Sequence, residues 1–111
     1  MSINKQIPAE QWVEYFDTFT NGNKGRLIDL EVLDRELGDE TPVKEQPLMS
    51  LIYDPVDKGN DLTIEIGRTQ VAYAHTIDAP NEVWQEQDDN GKVVALGIKA
   101  DEGNQAIVRL L

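Results

Sequence analysis

The chain contains one histidine, His75, two serines, Ser2 and Ser50, and no cysteine. Those residue types bound the covalent chemistry. A histidine acts as a general base when a nucleophile or a carboxylate stands beside it. Ser50 lies inside the apolar run Pro47 to Tyr53, outside the strand–turn–helix setting of a hydrolase serine, and Ser2 sits at the N-terminus. Asp78 follows His75 across an expected turn, so sequence defines no geometry between them. His75 is expected to be a packed or surface residue, and no catalytic residue is assigned. A chain without cysteine has no disulfides, thiolate nucleophiles, iron–sulfur clusters or thiolate zinc sites. No cofactor is expected.

The remaining chemistry belongs to 21 acidic residues. Asp54, Asp57 and Asp61 share one expected loop, Asp88 and Asp89 a second, and Asp101 and Glu102 a third. If two such loops met, their oxygens would suit Mg²⁺ or Ca²⁺. Turn composition accounts for the same residues, because aspartate favours turns. The stretch Phe19 to Leu33 imitates an EF-hand calcium loop but fits it in neither register. With Gly25 at the loop's glycine position, Gly22 and Lys24 fall on ligand positions; with Asn21 and Asn23 as ligands, Lys24 replaces the glycine. No metal site is assigned. Gly22 to Gly25 lacks the length and the Gly-Lys-Ser/Thr ending of a phosphate loop.

With 10 basic residues the net charge is −11. Such a surface repels nucleic-acid phosphates and anionic membranes, and the cations are spread singly from Lys5 to Arg109. Neither nucleic acid nor membrane is expected as a partner. The N-terminal stretch has no basic-then-apolar signal pattern, and no apolar run approaches spanning length. A soluble, cytoplasmic protein is expected.

The elements that position these residues begin with one helix, expected over Ile7 to Gly22. Trp12, Phe16 and Phe19 recur at helical spacing on one face, Pro8 suits the first turn, and Asn21-Gly22 suits the stop. A helix of about a dozen residues is marginal alone, so its aromatic face must lie on the β-structure C-terminal to it. After Gly25 the period becomes alternating. Arg26 to Leu33, Pro47 to Tyr53, Leu62 to Ile66, Val71 to Ile77, Glu82 to Gln87, Lys92 to Lys99 and Ala106 to Leu111 are expected strands. Asp34 to Pro42 is expected to be a polar connection. Asn90-Gly91 favours a type I′ hairpin, and a second hairpin is expected across Asp101 to Asn104.

No helix falls between strands, so parallel crossovers are not expected. The expected fold class is α+β: one N-terminal helix on a strongly curved antiparallel sheet, or a small barrel, of about six or seven strands, in a single domain over 1–111. The strand Ala106 to Leu111 is a candidate sheet edge for self-association.

The spacing around Ile7-Pro8, Trp12, Phe16, Asp17 and Phe19 resembles a family of small uncharacterised bacterial domains of unknown function. So do Leu30-Glu31-Val32-Leu33, Pro47-Leu48, and His75-Thr76-Ile77 followed by Pro80. The likeness covers most of the chain. It implies a bacterial domain of this kind and brings no activity, cofactor or site residue.

The expected function is therefore a non-enzymatic, acidic interaction module that binds a protein partner or itself. The alternative is a small-ligand or divalent-metal-binding domain using the barrel interior or the acidic loops. The possible partner surface comprises Trp84, Tyr73 and Trp12, because aromatic side chains dominate interface energetics. Trp84 alternates with Glu82 and Glu86, so a simple strand puts it on a polar face; packing under the helix against Trp12 or Phe16 is the favoured placement.

Overall fold

The computed structural model describes residues 3–36, 38–100 and 103–111. Ser2, Asp101 and Glu102 lie outside them. Eight strands form one antiparallel sheet: β1 (Ile3–Gln6), β2 (Leu27–Asp34), β3 (Gly38–Asp54), β4 (Asp61–Gly67), β5 (Val71–Asp78), β6 (Pro80–Gln87), β7 (Val93–Ala100) and β8 (Gln105–Leu110). Their order across the sheet is β1-β6-β7-β8-β2-β3-β4-β5. The expected α+β architecture is present. The sheet is open, however, with β1 and β5 as its two ends, so the closed-barrel alternative does not apply.

The helical segment is shorter than the expected Ile7 to Gly22. Ala9–Gln11 form a single 3₁₀ turn after Pro8, and the α-helix α1 runs from Trp12 to Asn23. Ile7 is not helical, because its N–H is bonded to the Val83 carbonyl at 2.8 Å, which ties it to β6. The stop also moves. Gly22 stays inside α1, and Gly25 takes the left-handed conformation at φ +88°.

The concave face of the sheet is the core, and α1 fills it. Trp12, Phe16 and Phe19 are buried as their spacing predicts, against Leu30, Leu48, Leu62, Ile64 and Leu96 among others. The Trp12 ring meets Tyr53 edge-on at 5.2 Å, and its indole N–H donates to the Ile7 carbonyl at 2.9 Å. The Thr20 hydroxyl accepts from the Leu51 N–H at 2.9 Å, pinning the helix to the backbone of β3.

β3 makes the bend possible. Its first part, Gly38 to Pro47, pairs with β2, and its second, Leu48 to Asp54, pairs with β4. Pro47 lies at the changeover, where a missing N–H is tolerated. Glu45 just before it adopts φ +50°, and its N–H donates to Asp29 Oδ1 at 2.9 Å. The expected polar connection is therefore corrected: Gly38 to Pro42 are strand, and their solvent-facing side chains disguised them. β1 has no counterpart among the expected strands, since four exposed residues carry no alternation.

Two further expectations are revised. β8 is hydrogen-bonded to β7 on one side and β2 on the other, so it is not a sheet edge. The β6–β7 loop is not a two-residue type I′ turn. Asp88 accepts from Asn90 and Lys92 N–H groups at 2.9 and 3.0 Å, and the left-handed residue is Gly91 alone, at φ +80°. An aspartate that bonds the following backbone favours this wider loop.

The buried polar residue in this core is Gln85, 9% exposed, whose Oε1 accepts from the Tyr15 hydroxyl at 2.5 Å. Burial also pushes the Tyr15 hydroxyl well above its ordinary acidity range, so it stays protonated as donor. Tyr15→Phe leaves that amide oxygen without its partner and is expected to cost about 1–3 kcal/mol in urea unfolding. Adding Gln85→Leu removes the orphaned group, and the double variant should recover much of the loss.

Candidate interaction edge and adjoining cleft

β5 is reached through a tight hairpin. Gly67 closes β4 at φ +154°, and a Cβ there would collide with the carbonyl oxygen of Gln70. Arg68, Thr69 and Gln70 form the turn, and β5 then pairs with β4 in a register that sets Tyr73 opposite Ile66, His75 opposite Ile64 and Ile77 opposite Leu62. These three side chains share the inward face, while Ala72, Ala74 and Thr76 point outward. The other side of β5 has no strand partner. Val71, Ala72, Tyr73 and Ala74 are all exposed, on both faces, as an uncovered edge requires.

A cleft of 420 Å³ lies between β5 and the ends of β2, β7 and β8, walled by Val32, Asp34, His75, Ile77, Asp78 and Asn104. A smaller hollow of 200 Å³ continues from it, between Tyr73 and His75 on one side and Gly38, Glu40 and Pro42 on the other. His75 is half-buried here, and loss of hydration holds its imidazole below the ordinary histidine value. Asp78 lines the same cleft without supplying a compensating charge effect on it.

The predicted aromatic residues do not form one surface. Tyr73 is on the β5 edge and 36% exposed. Trp84 is on β6, six positions away across the sheet, half-buried on the convex face opposite Gly97. Gln85 beside it points to the helix, so Trp84 does not lie beneath α1. Its indole N–H donates to Glu82 Oε1 at 3.1 Å, and with Asn4, Gly97, Lys99 and Gln105 it borders a shallow depression of 330 Å³. Trp12 is 3% exposed within the core, so a partner would touch it only after α1 had left the sheet.

Two of the polar residues weighed for chemistry, Ser50 and Asp88, have structural roles, as do two aspartates of β2. Ser50 Oγ donates to Glu65 Oε1 at 2.5 Å across the β3–β4 pair. Asp88 holds its own loop, and Asp29 and Asp34 accept from the backbone of Glu45 and Glu36. Among the described residues no group of three or more His, Asp or Glu side chains is placed to hold a metal ion. No helix among them is long and apolar enough to cross a membrane. The residue that sequence reasoning passed over is Arg68. It escaped notice because a lone cation in a turn means little until the strand beside it is known to be an edge.

The chain belongs to a family of unknown function, DUF5335, whose model matches residues 3–111. A relative from Aquifex aeolicus, named only as an uncharacterized protein, is 36% identical over 106 residues, covering 96% of this chain and 90% of that protein. No solved structure matches the chain. The resemblance to small uncharacterised bacterial domains thus holds.

The His75 environment has a consequence for stability. In the unfolded chain the imidazole titrates near 6.5, and burial lowers it in the folded state. Between those two values the unfolded chain binds more protons, so stability falls as the pH drops below about 6.5. The charged and titratable groups around it are Asp34 from β2, Glu40 from β3, and Tyr73 and Asp78 from β5. His75→Gln is expected to flatten the pH dependence of the urea midpoint between about pH 7 and pH 5. An unchanged slope would show that His75 is equally protonated in both states.

Proposed function

We propose that the protein is a non-enzymatic interaction module of the cytoplasm, a single domain that receives an extended protein strand along β5. One observation carries this reading: β5 ends the sheet, is exposed from Val71 to Ala74, and has no charged side chain from Thr69 to Ile77. An exposed, β-prone edge invites pairing with another chain, and proteins ordinarily blunt it with charge, proline or shortness. The opposite edge, β1, is blunted in that way, being four residues long with Lys5 in it. Strand addition is a general mode of protein recognition, in which backbone hydrogen bonds give affinity and alternate side chains give selectivity. Tyr73 is the anchor on this edge, and Trp84 marks a separate surface.

The test is recovery of partners by the tagged protein from lysate of its own organism, comparing the wild type with Tyr73→Lys and Trp84→Ala. A recurring protein should be lost with Tyr73→Lys and kept with Trp84→Ala, while circular dichroism shows both variants folded. Equal recovery by all three proteins would remove the β5 reading. Loss with Trp84→Ala alone would move the surface to the convex face.

A second reading, a small-ligand domain, is favoured by the 420 Å³ cleft beside His75. It is supported if small polar compounds raise the melting temperature of the wild type and not of His75→Gln, since binding to the folded state must stabilise it.

A further inference from the structure

We infer that the strand received by β5 is β5 of a second copy, paired antiparallel about a two-fold axis beside Tyr73. This rests on the strand-addition reading and names its partner.

The uncharged stretch Thr69 to Ile77 is bounded by Arg68, in the turn before β5, and by Asp78, its last residue. Both side chains are exposed. An antiparallel neighbour that complements this edge must bring an acidic group to the Arg68 end and a basic group to the Asp78 end, with uncharged residues between. β5 itself has that order. Opposite charges across a strand pair stabilise it and like charges destabilise it, so the edge is complementary to its own copy.

Charge also selects the register. A two-fold axis perpendicular to the sheet keeps the inward faces of both copies on the same side, so inward residues must meet inward residues. With the axis at Tyr73, the turn holding Arg68 of each copy comes to the end holding Asp78 of the other, within reach of the long guanidinium side chain. Tyr73 then faces its own equivalent, Val71 faces His75 of the second copy, and Ala72 faces Ala74. The inward row joins ring to ring, and the outward row is small enough for close approach.

The net charge of −11 opposes association over most of the surface. The uncharged edge is where two such chains approach with least repulsion. A strand pair is a small interface, so association depends on concentration.

Sedimentation velocity of the full chain, from about 10 μM to about 1 mM, tests this. A species of twice 12.5 kDa should grow with concentration. Arg68→Glu and Asp78→Arg should each raise the dissociation constant on the order of tenfold, and the double variant should restore it. Because the chain lacks cysteine, Tyr73→Cys provides a single thiol. Directly opposed residues stand about 4.5–5.5 Å apart, within disulfide range, so mild oxidation should link the copies. Thr69→Cys should stay unlinked, its two thiols lying roughly 27 Å apart in this register. A monomer over the whole range, unlinked at Tyr73→Cys, overturns the second copy as partner; strand addition is then judged separately by edge-dependent recovery from lysate. A dimer indifferent to both charge reversals and unlinked at Tyr73→Cys overturns the edge as its seat.

Discussion

A bent sheet exposes an apolar concave face, and this one is stable only if something fills it. Three rings do so. Trp12, Phe16 and Phe19 enter from one side of α1, a helix too short to persist alone. Helix and sheet thus depend on each other. The dependence extends to the backbone through the Trp12 indole, which holds the Ile7 carbonyl, while the Ile7 N–H holds Val83 of β6. That link fixes where the chain leaves β1 and enters the helix. On the other flank Thr20 binds the Leu51 backbone, so α1 bridges β6 to the bent strand β3.

Filling the bend with a helix relieves the sheet of any need to close. A barrel would bury its interior by joining first strand to last; here α1 buries it, and both ends remain as edges. The two edges are not equivalent. β1 is four residues long and carries Lys5, Asn4 and Gln6. β5 is twice that length and uncharged until Asp78, with alanines on its outward face. A long uncharged edge is a hazard for a protein that keeps it unpaired. On the proposed reading it is paired in use.

The parts of this architecture that were legible in the sequence are those written as periodicity. Trp12, Phe16 and Phe19 at helical spacing, and Leu62, Ile64 and Ile66 at alternate positions, announced a helix face and a strand face that are both buried. What was not legible is what periodicity does not encode. Gly38 to Pro42 and Ile3 to Gln6 pair through backbone groups while their side chains face water, so composition marked them as loop. Strand order was equally hidden. The Ala106 to Leu111 stretch looked like an edge because its residues do not say that β2, far away in sequence, lies beside it. The candidate site suffered from the same gap. Tyr73 was singled out as an aromatic, but the importance of its surroundings depends on β5 being terminal in the sheet, and that is a property of the assembled order.

The polar groups divide between those that brace the fold and those left facing water. Ser50 is bonded to Glu65, Gln85 to Tyr15, and Asp88 to its own loop, so these side chains act as struts. His75, which could have been a base, is partly dehydrated and held toward its neutral form. The buried side-chain polar atoms among the described residues all have partners. On the proposed reading, the groups that meet another molecule are the backbone N–H and C=O groups on the unpartnered side of β5. Water is a tolerable partner, and an added strand replaces it with bonds of fixed spacing and direction. On that reading, a chain whose side chains brace an open sheet recognises its partner through the main chain of one of its two edges.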